Sequence, residues 1–256
     1  MKILTVNAGS SSLKFNVIEL PEQNELISGY FERIGLDNAF YTVKINGEKI
    51  KKEIELNNHL DAVNALKEDL IKFNIVSNLE EIGGVGHRLV HGGDAIKESI
   101  LLTDEVVTLC ETFNDLAPLH NPAMIACVKA FKEALPKTPM VGVFDTAFHS
   151  TLKEEQYMYA VPYKWYSDYG IRKYGFHGTS HRYIDQTISK HLKRDDLKVI
   201  SIHIGSGGSV TAIDSGVSID TSMGFTPNAG LMMGTRSGDI DATMIPFVME
   251  KSGLTL

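Results

Sequence analysis

Ile3-Leu4-Thr5-Val6-Asn7-Ala8-Gly9-Ser10 near the amino terminus and Val199-Ile200-Ser201-Ile202-His203-Ile204-Gly205-Ser206 in the second half share one pattern, an apolar run that breaks into small residues. Each reads as strand, small-residue loop, strand: Ile3 to Val6, the loop Asn7 to Ser12, then Leu13 to Leu20; and Leu197–Ile204, a glycine loop, then Ser209–Ile213. Two such hairpins suggest a duplicated architecture. Small turns between apolar strands are common, so taken alone the likeness is also of a kind that chance supplies. Its physical interest is that two loops rich in N–H and hydroxyl donors, facing each other across a cleft, would hold a polyphosphate.

Working outward, further strands are expected at Leu26–Arg33, Tyr41–Ile45 and Ile50–Leu56, with Asn46-Gly47 as a hairpin turn. Leu60, Val63, Leu66, Leu70 and Phe73 fall at helical spacing behind Asn58, a ready cap. Asn121-Pro122 reads as N-cap and first residue of a helix through Ile125, Val128, Phe131 and Leu135. Val85–Val90 and Met140–Phe144 read as buried strands, and Ile184, Ile188 and Leu192 as the apolar face of a later helix. The class is mixed α/β, with a domain boundary expected near residue 150.

Composition excludes several functions. The chain has 256 residues, of which 43% are hydrophobic and 22% charged, an ordinary globular balance. A formal net charge of −7 argues against broad attraction to nucleic acid or anionic membrane. No apolar run approaches the ~18 residues of a spanning helix. Cys110 and Cys127 have neither disulfide-scaffold nor thiolate-metal spacing, and no signal peptide is read, so the cytoplasm is the expected compartment.

Three segments concentrate glycine with histidine and arginine: Gly86-His87-Arg88-Leu89-Val90-His91-Gly92-Gly93, Gly175-Phe176-His177-Gly178-Thr179-Ser180-His181 and Gly234-Thr235-Arg236-Ser237-Gly238-Asp239. The planar fork of arginine suits carboxylate and phosphate oxygens, so Arg88 and Arg236 point to an anionic substrate. Either one alone reads first as half of a structural salt bridge. His87 with His91, and His177 with His181, have the spacing of zinc pairs, but glycine and valine around them argue against a helical site and no H-E-x-x-H is present. Asp145 follows the strand Met140–Phe144 and would sit at a strand's carboxyl end, or cap a helical turn after it. His120 reads as a ligand group or as packing at a helix entry. His59 and His149 stand in no comparable context. With no Walker loop and no G-x-G-x-x-G, a nucleotide would be held by the hairpin loops.

Val6-Asn7-Ala8-Gly9-Ser10-Ser11-Ser12-Leu13-Lys14-Phe15, Gly86-His87-Arg88, Leu119-His120-Asn121-Pro122, Phe144-Asp145-Thr146-Ala147-Phe148-His149, the Gly175–His181 segment and Met223-Gly224-Phe225-Thr226-Pro227 continuing through Gly230–Asp241 occur in order. On these motifs the whole chain resembles the acetate kinase family of the sugar kinase, heat-shock-protein-70 and actin superfamily. The resemblance implies a two-domain, actin-like (ribonuclease H-like) duplicated α/β fold: residues 1–150 with the first phosphate loop, and residues 151–256 as an incomplete second, nucleotide-binding domain. It implies reversible, direct in-line phosphoryl transfer between ATP and acetate, with propionate behind it, and no phosphoenzyme.

The same resemblance assigns roles to residues. Asp145, His177, Arg236 and Arg88 would be catalytic, in a reaction centre between the domains. Asn7 would help place Mg²⁺ or Mn²⁺. Ser10, Ser12 and Lys14 of the first loop, and His203, Ile204, Gly205, Ser206 and Gly207 of the second, would meet nucleotide phosphate. Arg88, Val90, Leu119, His120, Phe176 and Pro227 would bind the acyl substrate. The chain departs from the family at Ser206 (usually Asn), Gly208 (usually Ala), Asn228-Ala229 (usually Leu-Glu) and Ala123-Met124 (usually Pro-Asn). Family members continue beyond the position matching Leu256 with most of the adenosine pocket, a Mg²⁺-binding glutamate and a terminal helix. A weak or inactive kinase is therefore expected, or a non-catalytic protein that binds anions or a full-length partner. A homodimer is implied if the second domain folds.

Overall fold

The computed structural model describes residues 1–118 and 120–255, in two compact units, Met1–Ala147 and Phe148–Leu256. In the first unit β1 (Lys2–Gly9) buries Leu4, Val6 and Ala8, which leaves Thr5 and Asn7 on the opposite face. It pairs antiparallel with β2 (Ser12–Glu19), where Leu13, Phe15 and Val17 alternate inward in the same way. The turn is only Ser10-Ser11, so the expected loop Asn7–Ser12 is tighter than its composition suggests. The inward alternation persists to Ala8, and the ladder runs on to the Gly9–Ser12 pair.

Antiparallel β3 (Asn24–Glu32), β4 (Phe40–Ile45) and β5 (Glu48–Glu53) extend the sheet. Asn46 and Gly47 join the last two with φ of 50° and 82°, the positive pair that a twist-matched two-residue hairpin requires. In α1 (His59–Lys72), Asn58 accepts the Asp61 N–H as the N-cap, and Ala62, Val63, Leu66 and Leu70 are buried. Then β6 (Ile82–Leu89) lies parallel to β1, followed by the short β7 (Ile100–Leu101), α2 (Asp104–Glu111), α3 (Asn121–Ala134) and β8 (Met140–Phe144), which is parallel to β6. The sheet order is β5-β4-β3-β2-β1-β6-β8-β7, so the carboxyl ends of β1, β6 and β8 lie side by side. Leu4, Leu13, Val17, Ile27 and Phe31, all 0% exposed, centre the core, at about 1.5–3 kcal/mol for each side chain buried. Cys110 and Cys127 are free and buried.

Asn121 is not the cap of α3. His120 stands there without a side-chain cap bond. The Asn121 amide accepts the His91 N–H at 3.2 Å and donates to the His91 carbonyl at 3.1 Å. A buried amide satisfied on both ends by a neighbouring backbone is unavailable to its own helix.

The second unit holds α4 (Glu154–Tyr157), α5 (Tyr163–Tyr169), α6 (Gly178–Leu192), an antiparallel sheet of β9 (Lys198–Ile204), β10 (Gly208–Asp214) and β11 (Val217–Thr221) in the order β11-β10-β9, and α7 (Met244–Ser252). β11 was not expected, though Ser215-Gly216, both at positive φ, was a legible turn signal before it. The anticipated apolar face of α6 is also not the buried one. Ile184 and Leu192 are 44% and 50% exposed, whereas Gly178, His181 and Asp185 are buried. The sheet surface carrying Ser201, Ser209 and Thr211 is polar and buried, and it takes His181. The other face of β9 presents Ile200, Ile202 and Ile204 to solvent.

Candidate active site

In the first unit, three candidate side chains, Asn7, Arg88 and Asp145, meet where the parallel strands end, with Lys14 on the same face as Asn7. Asn7 and Lys14 are cross-strand partners in β1 and β2 and therefore share a face. β6 brings Arg88 beside Asn7, and Asp145 follows β8, its N–H donating to the Leu89 carbonyl at 2.9 Å. Arg88 forks onto Asp145: Nε donates to Oδ1 at 3.1 Å and Nη2 to Oδ2 at 2.6 Å, while Nη1 donates to the Asn7 amide oxygen at 3.1 Å. Burial works to lower the Arg88 pKa, but the hydrogen bonds and charge of Asp145 outweigh it and the net shift is upward. Both Asp145 oxygens accept from Arg88 and neither accepts an N–H of the following turn among the described residues, so this carboxylate is no helix cap.

In the second unit the grouping gathers two histidines, two serines and one arginine. His177, the residue before α6, has φ 57° and ψ 18°, a left-handed conformation uncommon for a side chain of this size. Its ring stacks on His203 with centroids 4.1 Å apart, and its Nδ1 lies 2.8 Å from the Ser209 hydroxyl. His203 Nδ1 pairs with the Ser180 hydroxyl at 2.9 Å. Gly205, Ser206 and Gly207 turn between β9 and β10, with the Gly205 N–H bonded to the Gly207 carbonyl. A side chain at Gly207 would start 3.1 Å from Arg236 Nη1 and 3.2 Å from His177 Cε1, so the absence of a Cβ lets these three groups converge. Arg236 Nη1 donates to the Pro227 carbonyl at 3.1 Å and lies 3.8 Å from Met233 Sδ. Among the described residues Arg236 forms no ion pair.

The remaining candidates are spread over both units. Ser10 is exposed in the first hairpin turn and Ser12 opens β2; Ile204 is 83% exposed. Val90 and Phe176 are buried, Pro227 and His120 are half-buried, and Leu119 lies outside the described residues.

The model of the acetokinase family matches residues 2–256. The chain belongs to that family. An acetate kinase of Geobacillus sp. (strain WCH70) is 52% identical over 256 residues, covering 99% of this chain. Among solved structures, the acetate kinase of Porphyromonas gingivalis matches with a TM-score of 0.94 at 44% identity over 99% of the chain. A propionate kinase from Francisella tularensis subsp. tularensis SCHU S4 matches with a TM-score of 0.93 at 40% identity over 100% of it. The chain spans 64% of the Geobacillus protein's length and 65% of each of the two solved chains.

Acetokinase membership places the fold in the actin-like class, and the mixed α/β architecture agrees. The oxygens of Asn7 and Asp145 are hard donors at one strand end, a set that suits Mg²⁺, which binds through one or two carboxylates plus substrate phosphate and water. No cluster of three or more His, Cys, Asp or Glu ligands occurs among the described residues.

Reading by residue type left His59 and His149 without a context and weighed His181 only as half of a zinc-spaced pair, whereas the structure gives each of the three a polar partner. His59 Nε2 lies 2.9 Å from the Gly9 carbonyl at the first hairpin. His149 is fully buried, with Nδ1 2.8 Å from the Ser218 hydroxyl and Nε2 3.0 Å from the Phe176 carbonyl. His181 is also fully buried and lies between Ser201 and Ser209. Only the order of the family motifs containing His149 and His181 hinted at these roles, since their partners come from strands 20 to 69 residues away.

Proposed function

We propose that this chain carries phosphoryl-transfer machinery of the acetate kinase type: reversible, direct in-line transfer between ATP and acetate, giving ADP and acetyl phosphate. The observation that carries this reading is Arg236, a guanidinium without a carboxylate partner among the described residues, beside His177 at a glycine with no side chain. Family membership supports the choice of reaction. Its small-molecule partners are acetate, ATP and a divalent cation, Mg²⁺ or Mn²⁺. A homodimer and a cytoplasmic place belong to the same reading, on family membership alone.

The obstacle in such a reaction is charge. An anionic carboxylate must approach an anionic phosphate, and the transferring group spreads negative charge over its equatorial oxygens. Arg88 spends three N–H groups on Asp145 and Asn7, leaving a second hydrogen on each terminal nitrogen for a substrate oxygen. Arg236 offers its charge without an internal anion to compete for it. His177 supplies a ring nitrogen, and Lys14 with the two hairpin turns supplies phosphate donors. Asn7 and Asp145 would hold the divalent cation, which neutralises phosphate charge when bound. Val90, Phe176 and Pro227, with Leu119, would receive the acyl methyl. Apolar contact of this kind discriminates by only about 1–3 kcal/mol per methylene, so propionate follows acetate closely.

The test is acetyl phosphate formation from acetate and Mg-ATP, trapped as the hydroxamate, with protein from a host lacking its own acetate kinase. Hydroxamate that requires both substrates supports the reading. No hydroxamate, with acetate or phosphate binding retained in calorimetry, overturns it in favour of an anion-binding role.

A further inference from the structure

The polar core beneath α6 contains a continuous line of hydrogen bonds that ends on His177 and runs through three residues the proposed reaction leaves unused. Ser201 Oγ lies 2.9 Å from His181 Nδ1; His181 Nε2 lies 2.8 Å from Ser209 Oγ; and Ser209 Oγ lies 2.8 Å from His177 Nδ1. His181 and Ser209 are fully buried and Ser201 is 3% exposed, so water does not supply missing partners.

Only two proton arrangements fit the line while both rings are neutral. In one, His177 donates from Nδ1 to Ser209, Ser209 donates to His181 Nε2, and His181 donates from Nδ1 to Ser201. The Ser201 hydroxyl proton then needs an acceptor of its own, and none exists among the described residues. An unsatisfied buried hydroxyl costs about 1–3 kcal/mol. In the other, Ser201 donates to His181 Nδ1, His181 Nε2–H donates to Ser209, and Ser209 donates to His177 Nδ1. Every proton on the line is then used.

We infer that Ser201, His181 and Ser209 are positioning residues that hold His177 with Nδ1 as an acceptor and the proton on Nε2. Burial, with the nearby His149 and His203, pushes the His181 pKa down to about 4, so His181 carries a single ring proton at neutral pH and its two bonds must run in the same sense. The consequence falls on the far side of the His177 ring. Nε2 lies 3.4 Å from the point where a Gly207 side chain would begin, on the loop that Arg236 also approaches. The line thus presents a neutral N–H donor there, without a charge on His177. Its use in transfer rests on the reading proposed above; the tautomer itself does not.

The experiment is long-range ¹H–¹⁵N correlation NMR on ¹⁵N-histidine-labelled full chain at neutral pH, with His177 assigned by its loss in His177→Gln. The expected wild-type signature is an unprotonated Nδ1 and a protonated Nε2. Ser209→Ala removes the link, and His177 moves to an averaged mixture of tautomers. Ser201→Ala, two hydrogen bonds from His177, gives the same shift in part and serves if Ser209→Ala fails to fold. A protonated Nδ1 in wild type, or a His177 signature unchanged in both folded variants, overturns the inference. If the wild type turns over, Ser209→Ala lowers kcat about tenfold with KM for acetate unchanged. Absence of turnover with the tautomer signature present counts against the proposed function and leaves the proton line standing.

Discussion

Arg88 and Arg236 occupy the two units in different electrical company. In the first unit the guanidinium is locked to the buried Asp145 carboxylate and the Asn7 amide at the ends of three neighbouring strands. In the second the guanidinium rests on a carbonyl and a thioether, among histidines and serines that carry no charge of opposite sign. Two hairpins of similar pattern therefore present different chemistry, one a preformed ion pair and the other a cation that forms no ion pair among the described residues. Removing a member of the first should damage the fold; removing a member of the second should damage function alone.

The largest expected effect is on Arg88→Ala. It leaves Asp145, with a side chain 3% exposed, as an unpaired buried charge, a loss of about 3–5 kcal/mol. Urea unfolding of the variant measures it, and Asp145→Ala in the same background should recover part of the loss. A single-variant loss below about 1 kcal/mol would erase the contrast between the arginines.

Gly207→Ala tests the second unit by space instead of charge. The added methyl begins 3.1 Å from Arg236 Nη1 and 3.2 Å from His177 Cε1, so one group must shift. The shift needed is a few tenths of an ångström, below the ~1 Å that costs about 100-fold, so a loss of rate of roughly several-fold to tenfold is expected. Gly207 is not at positive φ, so the melting temperature should hold; a falling melting temperature with an unchanged rate would put the crowding elsewhere.

Acid should reach both units. Burial holds His149 and His181 at about 4 in the second unit, and His87 at about 3 and His91 at about 4 in the first. Each folded value lies below the ordinary value of 6.5, so the unfolded chain binds more protons between the two and stability falls as pH drops through that window. At pH 5 the loss is about 2 kcal/mol for each histidine that stays neutral in the fold. Urea midpoints at pH 7 and pH 5 measure it. Equal midpoints would mean that these rings are protonated or solvated in the fold.

Fold and site were legible to different depths. Alternation and turn residues located the first hairpin, Asn46-Gly47 and the strand Met140–Phe144, because those strands bury apolar side chains on one side. The face of α6 was misread because the sheet beneath it is polar, so the buried side of that helix is not its apolar one. Asn121 was misread for a related reason: its amide serves the backbone of His91, a partner 30 residues away that local sequence does not reveal. Single positions pointed to Arg88, Asp145, His177 and Arg236 through glycine context and family motifs. Ser201 and Ser209 looked like ordinary polar positions in strands, since a hydroxyl acquires its role only when the sheet brings two histidines to it.

The smallest expected effect concerns the apolar row on β9. Ile200, Ile202 and Ile204 are 65%, 58% and 83% exposed, on a strand with no neighbour on one side among the described residues. Ile202→Glu should lower binding of the dye ANS while shifting stability by no more than about 0.5 kcal/mol. A large loss of stability would show that the row is buried in solution.

The contrast between the arginines rests most directly on Arg236→Ala, measured for hydroxamate formation and melting temperature on the same preparation. The account predicts a rate at least about 100-fold below wild type, the scale for removing a preorganised charge-stabilising donor, with the melting temperature unchanged. A lowered melting temperature with the rate retained would make Arg236 a structural residue and contradict it.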